Sequence, residues 1–176
     1  HGVVGLITPW NFPVCIPMWK IAPAIVAGNT VVLKPAPETP LTAHIIGELL
    51  EEAGFPAGVI NIVHGDVAPA TTLLEHPDVK AISFTGSTHV GRIVEQACGA
   101  LHKPVQCELG GKNPQVVFAD ADLEDAADGV VFGICFNTGQ CCVSGSRLIV
   151  ERSGFHRGNE YQPHLQLILL YLQCRE

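Results

Sequence analysis

Short apolar, β-branched runs alternate with longer helical patterns over most of this chain, and that rhythm limits the fold more than any other feature. "GVVGLI" (Gly2–Ile7) has no polar alternation, which is the pattern of a strand covered on both faces. "TVVLK" (Thr30–Lys34), "VINIV" (Val59–Val63), "AISF" (Ala81–Phe84) and "VQCEL" (Val105–Leu109) follow at intervals long enough for a helix between them. Strand, helix, strand at this spacing requires right-handed crossovers and a parallel sheet with helices on both faces, an α/β fold.

The helical patterns carry their own punctuation. "PMWKIAPAIVAGN" is predicted helical, bent by Pro23 and ended by Gly28. Thr39-Pro40 offers an N-cap and a first-turn proline to a helix with Leu41, Ile45, Leu49 and Ala53 on one face, ending at Gly54. A short helix is expected before "AISF", and another from Ser87 to about His102. After Gly111 the pattern restarts: "PQVVFAD" as a strand, Leu123 to about Asn137 as a helix, and "RLIVE" as a strand. From Ser153 the grammar breaks, and residues 153–176 form an atypical tail. His1 is expected to be a cut end.

Composition excludes several classes. The 176 residues are 47% hydrophobic and 15% charged, suited to a packed core rather than a disordered chain. A net charge of −7 without a basic run argues against nucleic-acid partners. No apolar run reaches the roughly 20 residues of a membrane span. Seven cysteines, an odd number without CxxC spacing, read as reduced thiols in a cytoplasmic setting. Nothing in the sequence suggests a metal site.

Ligands of open parallel sheets bind at the carboxyl ends of the strands, and the unusual residues cluster there. "FNTGQCCVSGSR" (Phe136–Arg147) sets Cys141 and Cys142 in a glycine-rich turn, whose backbone N–H groups can lower a thiol pKa. The alternative is two small buried hydrophobes. Glu108 in "CELGGK" is expected to be poorly solvated, the condition for a general base near neutrality; the alternative is a surface acid. In "FTGSTHVG", Gly86 and Ser87 open a helix suited to a diphosphate, although any strand-to-helix turn needs a glycine and a cap. "ITPWNFP" holds the Asn11 amide rigidly between prolines, as an oxyanion donor or a loop-satisfying group. Lys34 is placed to reach a ribose or phosphate, or else is a solvated strand-end lysine.

Taken in order, "TPWNFP", "KPAPETP", "FTGS", "ELGGKNP" and "GQCC" resemble the NAD(P)-dependent aldehyde dehydrogenase superfamily over about Gly2 to Glu151. The resemblance implies an aldehyde dehydrogenase-like fold: a Rossmann-type nucleotide-binding domain (1–110, incomplete at its N-terminus), then the start of a catalytic α/β domain (111–152). It implies Cys142 as nucleophile, Cys141 as its neighbour, Asn11 as oxyanion donor and Glu108 as base, acting through a thiohemiacetal and a thioester. Cofactor contacts carried over are Ile7, Thr8, Trp10, Lys34, Gly65, Phe84, Gly86, Ser87 and Leu109. Phe12, Ile16 and Trp19 match the aldehyde tunnel. The cofactor implied is NAD. NADP stays open, because Pro37, with Glu38 beside it, replaces a ribose-binding Glu of many NAD-preferring relatives. The partner is a small aldehyde, and the full-length form is expected to be a homo-oligomer. The alternative function is a truncated, non-catalytic remnant that binds a partner. A cysteine hydrolase is disfavoured because no His lies near the cysteine turn.

Overall fold

In a computed structural model, residues 1–151 are described. The tail predicted from Ser153 lies outside them. The chain divides into two compact units, His1–Leu109 and a second from Gly110 onward.

The first unit alternates strand and helix: β1 (Val3–Ile7), α1 (Cys15–Val26), β2 (Thr30–Lys34), α2 (Pro40–Glu52), β3 (Ile60–Ile62), α3 (Val67–Glu75), β4 (Val79–Thr85), α4 (Thr88–Ala100) and β5 (Val105–Glu108). Its five strands lie in the order β3-β2-β1-β4-β5, every neighbouring pair parallel. The order reverses between β1 and β4, which makes their carboxyl ends the switch point where open sheets of this kind bind ligands.

Both faces of the sheet are buried, as the unbroken apolar runs require. One cluster joins Val4, Leu6, Ile21, Val31, Leu33 and Ala81; the other joins Ile7, Leu73, Ile82, Phe84, Val94 and Cys98. Fully buried side chains such as Leu6, Ile21 and Leu33 each contribute about 1.5–3 kcal/mol of transfer free energy. Asn29 fastens the end of α1 to the start of β1: its Oδ1 accepts from the Gly2 N–H at 3.1 Å and its Nδ2 donates to the Ala24 carbonyl at 3.0 Å. Gly28, at φ 77°, turns the chain out of α1 in the left-handed region that glycine enters most easily.

Three local expectations change. Helix α1 begins at Cys15 and runs through both Pro17 and Pro23. Thr39 occupies the N-cap of α2, but its side chain makes no capping bond. The predicted apolar face of α2 is turned outward: Leu41, Ile45 and Leu49 are exposed, while Ala43, Ile46 and Leu50 meet the sheet. A helix with apolar residues around most of its circumference does not fix its buried face by periodicity alone.

The second unit contains β6 (Pro114–Val117), α5 (Leu123–Cys135), a 3-10 turn (Phe136–Gly139) and β7 (Arg147–Val150). The two strands pair in parallel, Pro114 with Arg147 through Val117 with Val150. Asp122 caps α5 by accepting from the Glu124 and Asp125 N–H groups. Among the described residues, no helix is long and apolar enough to cross a membrane.

Candidate active site

Strand register assembles the site in the first unit. Lys34 lies beside Ile7, Ile7 beside Phe84, and Phe84 beside Cys107; one step on, Thr85 lies beside Glu108. Ile7, Lys34, Phe84 and Glu108 thus share one edge of the sheet. Thr8, Trp10, Asn11 and Phe12 continue from the end of β1 at that edge. The Thr8 N–H donates to the Lys34 carbonyl at 3.2 Å, and the Thr8 hydroxyl is buried with no hydrogen-bond partner among the described residues.

The start of α4 follows from close packing. A Cβ on Gly91 would sit 2.4 Å from Leu109, so the missing side chain lets α4 lie against the end of β5. A Cβ on Gly86 would meet the Phe84 ring at 2.5 Å; this glycine makes room for a neighbouring ring as well as for any ligand. The Ser87 hydroxyl accepts from the Val90 N–H at 3.2 Å and caps the helix. The first intrahelical bond is Gly91 N–H to Ser87 carbonyl, which leaves the Thr88 and His89 N–H groups ahead of it at the positive end of the helix. Gly65, at φ 140°, lies after β3.

Burial separates the two charged residues of this edge. Glu108, expected to be poorly solvated, is exposed, because β5 is the edge strand of the sheet. Lys34 is buried, which removes the alternative of a solvated strand-end lysine; burial lowers its ammonium pKa, and the nearby Asp66 and Glu38 carboxylates oppose that. The tunnel residues divide: Ile16 is buried, Phe12 is half-buried and Trp19 is exposed.

Lys20 was missed from sequence. Its ammonium is buried and donates to the Ser83 hydroxyl at 2.7 Å, which in turn donates to Gln106 Oε1 at 2.9 Å. Burial lowers its pKa, while Glu108 and then Cys107 pull it upward. The three residues line a cavity of about 350 Å³ bordered by Trp19, Pro23 and Ala24. The available signal was a lysine at a core-facing helical position, one residue before the buried Ile21.

The second unit holds the cysteine turn. Asn137, Thr138 and Gly139 are all left-handed, at φ 50°, 55° and 68°, and a β-branched Thr there is strained. Two carboxamides hold the loop beyond. Asn113 Nδ2 donates to the Cys142 carbonyl at 2.8 Å and to the Ser144 carbonyl at 3.2 Å. Gln115 Nε2 donates to the Gly145 carbonyl at 2.8 Å and to the Val130 carbonyl at 3.2 Å. Cys141 and Cys142 are both free thiols. Backbone groups of the turn act to lower the Cys142 thiol pKa, the direction expected of such a turn. Burial and Cys141 outweigh them, however, so the thiol lies above its ordinary 9.0 rather than below it.

Comparison with known proteins matches residues 1–159 to the aldehyde dehydrogenase family. A phenylacetaldehyde dehydrogenase of Pseudomonas fluorescens is 56% identical over 153 residues, covering 86% of this chain and 30% of the relative. Among solved structures, an NAD-dependent aldehyde dehydrogenase from Sinorhizobium meliloti superposes with a TM-score of 0.88 at 48% identity, over 94% of this chain and 33% of that one. The NAD+ complex of an aldehyde dehydrogenase from Bacillus cereus superposes with a TM-score of 0.86 at 42% identity, over 91% and 33%. The chain therefore spans about a third of the length of the relatives it matches.

Proposed function

The chain belongs to the aldehyde dehydrogenase family, and from that premise we propose that it carries the nucleophile, base, oxyanion donor and part of the cofactor cleft of an enzyme oxidising aldehydes to carboxylic acids. The observation that carries this reading is the gathering of Ile7, Lys34, Phe84 and Glu108 at the carboxyl ends of the parallel strands, with the buried, unpartnered Thr8 hydroxyl beside them. That edge is where an open parallel sheet binds its ligand.

In this reading the Cys142 thiolate forms a bond to the aldehyde carbon, and the carbonyl electron pair moves to oxygen. The Asn11 amide and the Cys142 N–H hold that oxyanion. NAD, when bound, supplies the acceptor for the hydride that leaves the same carbon. Glu108 then takes a proton from a water that attacks the resulting thioester; the carboxylic acid departs and the Cys142 thiolate is restored.

The residues present fit a dinucleotide. The Thr8 hydroxyl is buried and unpartnered at the end of β1, and α4 offers the N–H groups of its first turn to a phosphate. Lys34 is read as the contact to the adenine ribose, with Glu38 near enough to influence its charge. Ile7, Trp10, Gly65, Phe84, Gly86, Ser87 and Leu109 make up the rest of the cleft. Phe12, Ile16 and Trp19 favour an apolar aldehyde. The free thiols suit a cytoplasmic protein, and the full-length form is read as a homo-oligomer.

A second reading is favoured by the exposed Glu108 and the raised Cys142 thiol: the chain alone is non-catalytic. One experiment addresses both. The purified chain, and a chimera placing residues 1–151 in the matching segment of the Pseudomonas relative, are assayed with NAD or NADP and phenylacetaldehyde. The chimera should reduce NAD, and Cys142→Ser or Glu108→Gln should abolish it; the isolated chain should show little turnover. A chimera equally active with Cys142→Ser would sink the proposed mechanism.

A further inference from the structure

The cavity beside Lys20 is walled by hydrogen-bond donors and apolar groups, with no acid among the described residues that line it. Its volume, about 350 Å³, lies in the range of small-molecule sites. Lys20 is only 8% exposed, and among the described residues no ion pair joins it to a carboxylate. Glu108 attracts the ammonium without reaching ion-pair distance. A buried cation short of a counter-charge is unfavourable, and the lowered pKa of this ammonium has that cause.

The hydrogen bonds around it are directional. A lysine ammonium has three hydrogens and no acceptor. One hydrogen goes to the Ser83 hydroxyl at 2.7 Å. Lysine cannot accept in return, so Ser83 directs its own hydrogen to Gln106 Oε1 at 2.9 Å. That bond engages the Gln106 oxygen and leaves its Nε2 hydrogens without a partner among the described residues. The other polar lining groups offer no free acceptor: Asn29 Oδ1 already accepts from the Gly2 N–H and from the His1 ammonium. Two Lys20 hydrogens and the Gln106 amide therefore remain for one cavity, and donors without acceptors call for an anion.

We propose that this cavity binds a small carboxylate with an apolar body, its oxygens taken by Lys20 and Gln106 and its hydrocarbon part by Trp19 and Pro23. One buried cation among apolar walls suits a singly charged acid better than a phosphate. The inference stands on this cavity alone and goes beyond the aldehyde oxidation proposed above, although the acid released there belongs to the same class.

Benzoate is the probe, and benzamide, neutral and of the same shape, is the control. In nitrogen-15 NMR spectra of the purified chain, benzoate should shift the Trp19 indole and the Ala24 and Gln106 amides. It should bind about tenfold or more tightly than benzamide, the margin of a charge-assisted contact. Lys20→Met, neutral and similar in length, should reduce benzoate to the affinity of benzamide. Ser83→Ala keeps the charge without its anchor and should weaken benzoate less than Lys20→Met does.

A folded Lys20→Met chain that binds benzoate as wild type does would overturn the proposal. The wild-type comparison decides by itself if that variant does not fold: equal affinity for benzoate and benzamide would equally sink the site. Shifts gathered around Lys34 and Gly86 would put the anion in the cofactor cleft instead, and inorganic phosphate bound as tightly as benzoate would refute the choice of ligand. No turnover is measured, so a chimera that works without Cys142 would end the catalytic reading and leave this one standing.

Discussion

The Lys20 ammonium donates to the Ser83 hydroxyl at 2.7 Å, tying the middle of α1 to β4 through a buried cation. Burial holds that ammonium below its ordinary 10.5, so the unfolded chain binds the proton more tightly than the folded one. Unfolding takes up a proton between the two values, and the fold gains stability as pH rises through that window. Urea denaturation at neutral and alkaline pH should therefore show wild type gaining stability relative to Lys20→Met as pH rises toward 10.5. A difference that stays constant with pH would refute the buried-cation account.

Packing at the start of α4 leaves no space for a methyl group. Gly91→Ala places a Cβ 2.4 Å from the Leu109 side chain and should destabilise the fold by about 1–3 kcal/mol, read from the denaturation midpoint. Gly99→Ala on the same helix meets nothing within 4 Å and should be neutral or mildly stabilising. Equal effects at the two positions would contradict the close helix–strand contact.

Gln115 is clamped between Gly133 and Gly145, and its amide serves two carbonyls. Gln115→Ala removes the donor and opens a void beside both glycines. The expected cost is about 1–3 kcal/mol, with faster amide exchange around Ser144 and Gly145. Exchange unchanged in that stretch would show that the carboxamide does not hold the turn.

After burial, the neighbouring Cys141 is the main cause that raises the Cys142 thiol pKa. Cys141→Ala should therefore lower the pH at which Cys142 becomes half-reactive toward iodoacetamide. At neutral pH the variant should label faster than wild type. A midpoint that rises instead would mean that Cys141 shields the thiolate rather than opposing it.

Much of the fold was legible because the signals are local. Thr30–Lys34 was bounded correctly as a strand from five residues, and Ser87 was recognised as the start of α4 from a strand, a glycine and a hydroxyl. The outward face of α2 was not legible, since Leu41, Ile45 and Leu49 compete with Ala43, Ile46 and Leu50 for one sheet. Lys20 escaped for a related reason: a lysine reads as surface until the strand opposite it supplies Ser83 and Gln106.

What the sequence determined by itself was the succession of strands and helices, the parallel sense of the sheet and the glycine- and cysteine-bearing turns at their ends. These follow from side-chain periodicity and backbone permission, which neighbours along the chain specify. Tertiary structure alone decided the charge balance: Glu108 exposed on an edge strand, Lys20 and Lys34 desolvated, and Cys142 held above its ordinary pKa by burial. The free energy of a charge depends on how much water and which dipoles surround it in space, and those surroundings come from residues distant in sequence.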